Sequence, residues 1–182
     1  RLWPELRQRA SALLAIPDVE ALVAFGTLAR AEAGELLIGL EFFSNFGVDM
    51  VLAHMPGIVF PLETRGPFYL LVELACSSAR IPLMSILEDI LERGMSAGLV
   101  SDGAIAVSEA QRLSFWQLRE EQPEGQRLEG AQLKHDISVP PGRIGHFLAE
   151  GEALCAQILP GVRFNPFGHL GDGNIHYNLS PP

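Results

Sequence analysis

The chain has 182 residues, 48% of them hydrophobic, and a formal net charge of −9. That length supports one domain with a substantial core, and the acidic balance argues against nucleic acid and anionic membrane surfaces as partners. No apolar run reaches membrane-spanning length without a charge, glycine or proline, and the opening Arg1-Leu-Trp-Pro-Glu-Leu-Arg7 lacks the apolar stretch of a secretory signal.

In chain order, Arg1 to Ala15 reads as a segment joining this domain to something upstream. Asp18 to about Ala33 has helical character, with Asp18 as N-cap after Pro17. Glu35 to Phe43 reads as a strand, and Ser44 to about His54 as a short helix broken by Pro56-Gly57. Phe68 to Ala75 is a strand, and Ile81 to Arg93 an amphipathic helix ended by Gly94. Val100 to Val107 is strand-like, with a turn signal at Asp102-Gly103. Ser108 caps a helix to Glu121, and the polar stretch Gln122 to Gly130, with its proline and glycines, reads as a loop. Leu133 to Val139 is a strand, Gly142 to about Leu159 a helix, and a hairpin closes the chain. Alternating strands and helices admit a parallel α/β sheet. The hairpin and the half-polar strands favour an α+β domain instead, with a mostly antiparallel sheet and helices on one face. No internal linker divides residues 1–182. Cys76 and Cys155 lie outside any Cys-x-x-Cys pair and read as reduced, buried thiols.

The hairpin carries the chemistry. Asp172-Gly173 is a two-residue turn signal. Centred there, the pairing sets Leu170 opposite Ile175 and His169 opposite His176. Opposed residues point to one side of a sheet with Cβ atoms about 4.5–5.5 Å apart, close enough for two imidazoles to share one metal ion. Asn174, His176, Asn178 and Ser180 then occupy one face, and Ile175, Tyr177 and Leu179 the other. A His pair is short of the three or four ligands a metal site needs, so a half-solvated hairpin with two incidental histidines remains the alternative.

The run Phe-Gly-His-Leu-Gly-Asp-Gly-Asn-Ile-His-Tyr-Asn, residues 167–178, closely resembles the Gly-His-x-Gly-Asp-Gly-Asn-x-His signature of the FAD-linked oxidase C-terminal domain. That domain occurs in D-2-hydroxyglutarate dehydrogenase, D-lactate dehydrogenase and the glycolate oxidase D subunit. The resemblance covers the chain from about Glu35 onward and implies a ferredoxin-like fold. It implies that His169 and His176 ligate a divalent metal (Zn, Fe or Mn), and that FAD is held mainly by a separate N-terminal domain. Two further segments take meaning from it. Trp116 and Arg119 share a helix face, by themselves a surface stacking pair; the segment Trp116-Gln-Leu-Arg-Glu120 resembles a family motif whose Arg holds the substrate carboxylate, a position Arg119 matches. In Leu133-Lys-His-Asp-Ile-Ser-Val-Pro140, Lys134, Asp136 and Ser138 share a face, as on a solvated edge strand. The pattern resembles the 2-hydroxyglutarate type, in which this Lys contacts a carboxylate. Arg119 and Lys134 together imply a dicarboxylate, and Asn178 is expected to donate to the substrate or orient a ligand. Pro123 departs from the pattern, because some members place a hydroxyl residue there to meet the distal carboxylate.

Of the other histidines, His54 reads as a helix-end residue, His135 as a core histidine and His146 as a surface residue. No Gly-rich stretch matches a nucleotide-phosphate cradle. The family's third metal ligand and its base lie in a Glu-His-Gly sequence beyond the hairpin. This chain runs to Pro182 without a Glu-His dipeptide, so the base is expected beyond Pro182. No catalytic residue is assigned within the chain, and it reads as a fragment, inactive alone. The resemblance implies an FAD-dependent dehydrogenase acting on a small anionic D-2-hydroxy acid, in the cytoplasm or, in a eukaryote, the mitochondrion, with a homodimer admitted. The alternatives are a lactate or glycolate dehydrogenase of the same family, or a non-catalytic metal-binding or interaction domain.

Overall fold

The computed structural model describes residues 5–182. The elements are β1 (Gln8–Ile16), α1 (Val19–Ala33), β2 (Leu37–Ser44), α2 (Asn45–His54), β3 (Phe68–Cys76), α3 (Leu83–Ser96) and β4 (Asp102–Ile105). They continue with α4 (Glu109–Glu120), α5 (Gln122–Glu129), β5 (Asp136–Ser138), α6 (Ile144–Ile158), β6 (Arg163–His169) and β7 (Asn174–Ser180). The strands form one sheet in the order β4-β1-β3-β2-β6-β7-β5, with every neighbouring pair antiparallel. The β4-β1-β3-β2 part, with α1 after β1 and α3 after β3, is the ferredoxin-like arrangement expected. Strands β6, β7 and β5 extend it beyond β2.

Three of the helices start where a side chain caps them. Asp18 accepts from the Ala21 N–H at 2.7 Å, Ser44 from Gly47 at 3.2 Å and Ser108 from Gln111 at 3.2 Å. Each such cap stabilises its helix by about 1 kcal/mol. The sheet separates two apolar layers. On one side Leu14, Ile16, Leu70 and Val72 pack against Leu22 and Phe25 of α1, Leu87 and Ile90 of α3, and Ile144 and Leu148 of α6. The opposite face is covered in part: Leu13, Tyr69, Leu71 and Phe167 pack against Val48 and Val51 of α2 and Phe115 and Leu118 of α4. Helices α1, α3 and α6 thus form the layer expected on one face, and α2 and α4 add a second, incomplete layer on the other. The uncovered part of that second face holds the candidate site.

Several local expectations change. Of the stretch expected to be a connection, residues 1–4 lie outside the described residues, and Gln8–Ile16 is an interior strand between β3 and β4. Ala12 to Ile16 are wholly buried. A strand buried on both faces is a continuous apolar run without alternation, which removes the period-two signal. The loop expected at Gln122–Gly130 is helix α5. Pro123 sits in its first turn, where a missing N–H costs nothing. A Cβ on Gly125 would stand 3.2 Å from the Val51 nitrogen, so its absence lets α5 lie on the backbone of α2. Helix α3 continues past Gly94 to Ser96; Gly94 serves packing and not termination, since the Phe25 ring occupies the space a side chain there would need. Asp102-Gly103 is not a turn but part of β4, where Gly103 pairs with Leu14.

Candidate active site

The hairpin differs from expectation in register. The connection between β6 and β7 is four residues, 170–173, and the pairs are Phe167 with His176 and His169 with Asn174. His169 and His176 are therefore diagonal neighbours, not opposed ones. Three interactions set the longer turn. The Leu170 N–H donates to the Leu40 carbonyl at 2.9 Å while its side chain is buried over α1; the Gly173 N–H donates to the His169 carbonyl at 3.1 Å; and the Val139 N–H donates to the Gly173 carbonyl at 3.0 Å. Gly173 has φ +84°, the left-handed conformation that glycine accepts without strain. The register moves by two residues and side chains alternate with period two, so both imidazoles remain on one face.

That face is organised by a residue without a sequence motif. Glu41 pairs with His169 across β2 and β6. Its side chain is 9% exposed. Its Oε1 lies 2.5 Å from His169 Nδ1, and its Oε2 accepts from Arg119 Nε at 3.0 Å. The Arg119 guanidinium stacks over the Phe167 ring with its carbon 5.0 Å from the centroid. The Phe167 and His176 rings pack with centroids 4.7 Å apart. On the far side, Asp136 of the edge strand pairs with His176, lies 3.8 Å from its Nδ1, and accepts from Asn174 Nδ2 at 3.0 Å. Burial lowers the His176 pKa; Arg119 and His169 act in the same direction, against Asp136 and Glu41. Arg119, His169 and His176 are therefore gathered around Phe167 at the open end of the sheet face.

The remaining expected residues are placed as follows. Lys134 is exposed. Leu133 bridges Leu179 and Asp136 pairs with His176, so the same register sets Lys134 level with Asn178. Asn178 is buried: its Oδ1 accepts from the His135 N–H at 3.1 Å and its Nδ2 donates to Gln126 of α5 at 3.0 Å. It ties α5 to β7 and the β5 segment beneath the site. Trp116 diverges from Arg119. It reaches along the sheet over Gly39 and donates to Glu73 Oε2 at 2.5 Å. Glu73 is 2% exposed and also accepts from Ser11, Arg9 and Arg112. Burial works to raise its pKa, but those hydrogen bonds from Trp116, Ser11, Arg9 and Arg112 together hold it below the usual carboxylate range. Pro182 is exposed beside Gly161, past the end of β7 that lies away from the hairpin turn. No residue up to Pro182 is assigned the role of base.

His135 is exposed rather than in the core, with Nδ1 2.9 Å from the Tyr177 carbonyl. His54 ends α2 beside Glu129, and His146 is on the surface beside Glu150. Among the described residues no group of three or more His, Cys, Asp or Glu is arranged to hold a metal ion, and no helix is long and apolar enough to cross a membrane. Glu41 was missed in the sequence, and Asp136 was read only as part of a solvated edge strand. A lone carboxylate inside the apolar run Leu40-Glu-Phe-Phe43 was the available signal for Glu41, since a buried charge requires partners.

The family model for FAD linked oxidases, C-terminal domain, matches residues 5–181, so the relationship begins well before Glu35, where it was expected to fade. The chain is 33% identical over 177 residues to the mitochondrial D-2-hydroxyglutarate dehydrogenase of Arabidopsis thaliana, covering 97% of this chain and 31% of that protein. It is 34% identical over 172 residues to a D-2-hydroxyglutarate dehydrogenase of Xanthomonas citri, covering 93% and 34%. It is 33% identical over 162 residues to the mitochondrial enzyme of Bos taurus, covering 88% and 28%. The chain spans about a third of the length of these relatives. By its sequence over residues 5–181, this chain belongs to the C-terminal domain family of the FAD linked oxidases.

Proposed function

We propose that this chain is the substrate-binding part of a flavin-dependent dehydrogenase that oxidises D-2-hydroxyglutarate, or a closely similar D-2-hydroxy acid, to the 2-oxo acid. One observation carries the reading: Arg119, His169 and His176 share one partly open face, with Glu41 bonded to both Arg119 and His169. The relatives named above add the substrate. A guanidinium fork whose Nε is held leaves its terminal N–H groups for a carboxylate. Lys134, on the exposed edge of the same face, is assigned the second carboxylate of a dicarboxylate.

Two imidazoles whose Nδ1 sides each face a carboxylate fit a metal in donor type, because ligating histidines commonly donate the other ring N–H to a carboxylate. They do not complete a coordination sphere. His169 and His176 would hold such an ion, and it would supply Lewis-acid polarisation of the substrate hydroxyl. The flavin is assigned to the part of the relatives' length that this chain does not span. The base that takes the hydroxyl proton is assigned to the same remainder. This chain's own residues bind the anion, orient it and narrow the solvent around it, which lowers the entropic part of the barrier. Arg119 and Phe167 form the floor, and His169 bounds the hydroxyl end.

The test is stopped-flow flavin reduction in the full-length protein containing this chain. D-2-hydroxyglutarate should reduce the flavin with a higher kcat/KM than D-lactate, and Lys134→Met should erase most of that preference, roughly 10-fold or more for one lost charged contact. A protein that prefers D-lactate, or whose preference ignores Lys134, contradicts the dicarboxylate assignment.

A further inference from the structure

The hydrogen bonds around Glu41 constrain where protons sit. An ionised carboxylate only accepts. Glu41 meets Arg119 Nε at one oxygen and His169 Nδ1 at the other, and at 9% exposure its side chain has little water to turn to. Arg119 supplies a donor without alternative. For the second contact to be favourable, His169 Nδ1 must carry the ring proton. In a neutral imidazole this leaves Nε2 as the lone pair, on a ring that is 45% exposed.

We infer that Glu41 is a positioning residue that fixes the tautomer of His169 and the direction of Arg119 together, so that an imidazole lone pair and a guanidinium fork address the same bound acid. The identity of that acid rests on the proposed function; the tautomer is a property of this chain alone.

The near-isosteric variant Glu41→Gln separates charge from shape. Glutamine has one accepting end and one donating end. Arg119 can only donate, so the amide oxygen turns to Nε. The amide N–H group then faces His169 Nδ1, which must become the lone pair, and the ring proton moves to Nε2. The substitution keeps the volume and both contacts and reverses the tautomer. If Arg119→Met is added, nothing claims the amide oxygen, either end of the amide can meet the ring, and the preference for the Nε2–H form weakens.

The experiment is nitrogen-15 NMR of this chain with labelled histidine, carried to alkaline pH until the ring signals stop moving, with His169→Asn used to assign the signals. The inference expects Nδ1–H at His169 in the parent, Nε2–H in Glu41→Gln, and a smaller Nε2–H excess in the double variant. Nε2–H in the parent overturns it without any variant, and so does an unchanged tautomer in Glu41→Gln. In the full-length protein the same Glu41→Gln change should lower kcat/KM at least about 10-fold. A swapped tautomer with undiminished oxidation would leave the tautomer inference standing and contradict the proposed function.

Discussion

A buried carboxylate with two donors costs less than one with a single partner, because each oxygen recovers part of the hydration it lost. Glu41 meets that condition, and it makes His169 the better anchored of the two imidazoles. His176 is held differently, by packing on Phe167 and by a longer approach to Asp136. Burial lowers its pKa, so the ring takes up its proton below the ordinary value of about 6.5. The unfolded chain then binds more protons than the folded one in that interval. This ring's contribution to stability falls as pH drops from about 6.5 to the folded midpoint and is level below it. NMR titration should place the His176 midpoint below that of an unperturbed histidine, and Asp136→Asn should lower it further by removing a charge that favours the imidazolium. A midpoint that rises in the variant would contradict this placement of Asp136. At this scale the histidines and Arg119 were legible because they lie in a motif. Glu41 was not, because its partners are 78 and 128 residues away.

Among the elements, α5 shows how composition misleads. Its sequence, Gln-Pro-Glu-Gly-Gln-Arg-Leu-Glu, is that of a loop, yet it forms a helix because two glutamines and a glycine are what its contacts require. Gln126 meets Asn178, and Gly125 meets the backbone of α2. Gly125→Val should therefore force α5 away from α2 and cost about 1–3 kcal/mol, read as a lower urea midpoint with an unchanged slope. A variant as stable as the parent would mean that α5 is not held by this close approach. The hairpin carries a related lesson. Asp172-Gly173 marked the turn, but the loop is longer by two residues because neighbouring strands claim Leu170 and Gly173. Long-range pairing chose among turns that the local sequence alone permitted.

For the whole molecule, the hairpin and the half-polar strands favoured a mostly antiparallel α+β sheet and the family resemblance implied its ferredoxin-like form, whereas neither placed β1. A strand buried on both faces loses the alternation that identifies it, and only the assembled sheet supplies its partners on either side. The same assembly explains the site. Helices α2, α4 and α5 cover most of one sheet face, with α2 on Phe167 of β6 and α5 bonded to Asn178 of β7, and leave His169, His176 and Asp136 at the hairpin end accessible beside an apolar layer. A shared site requires that His169 and His176, though not directly opposed, serve one bound substrate. The most direct measurement is a double-mutant cycle on kcat/KM for D-2-hydroxyglutarate in the full-length protein, using His169→Ala, His176→Ala and the pair. Residues that act as a unit are strongly non-additive, so the double variant should be no worse than the poorer single one. Losses that multiply, or no loss from either change, would contradict a shared site.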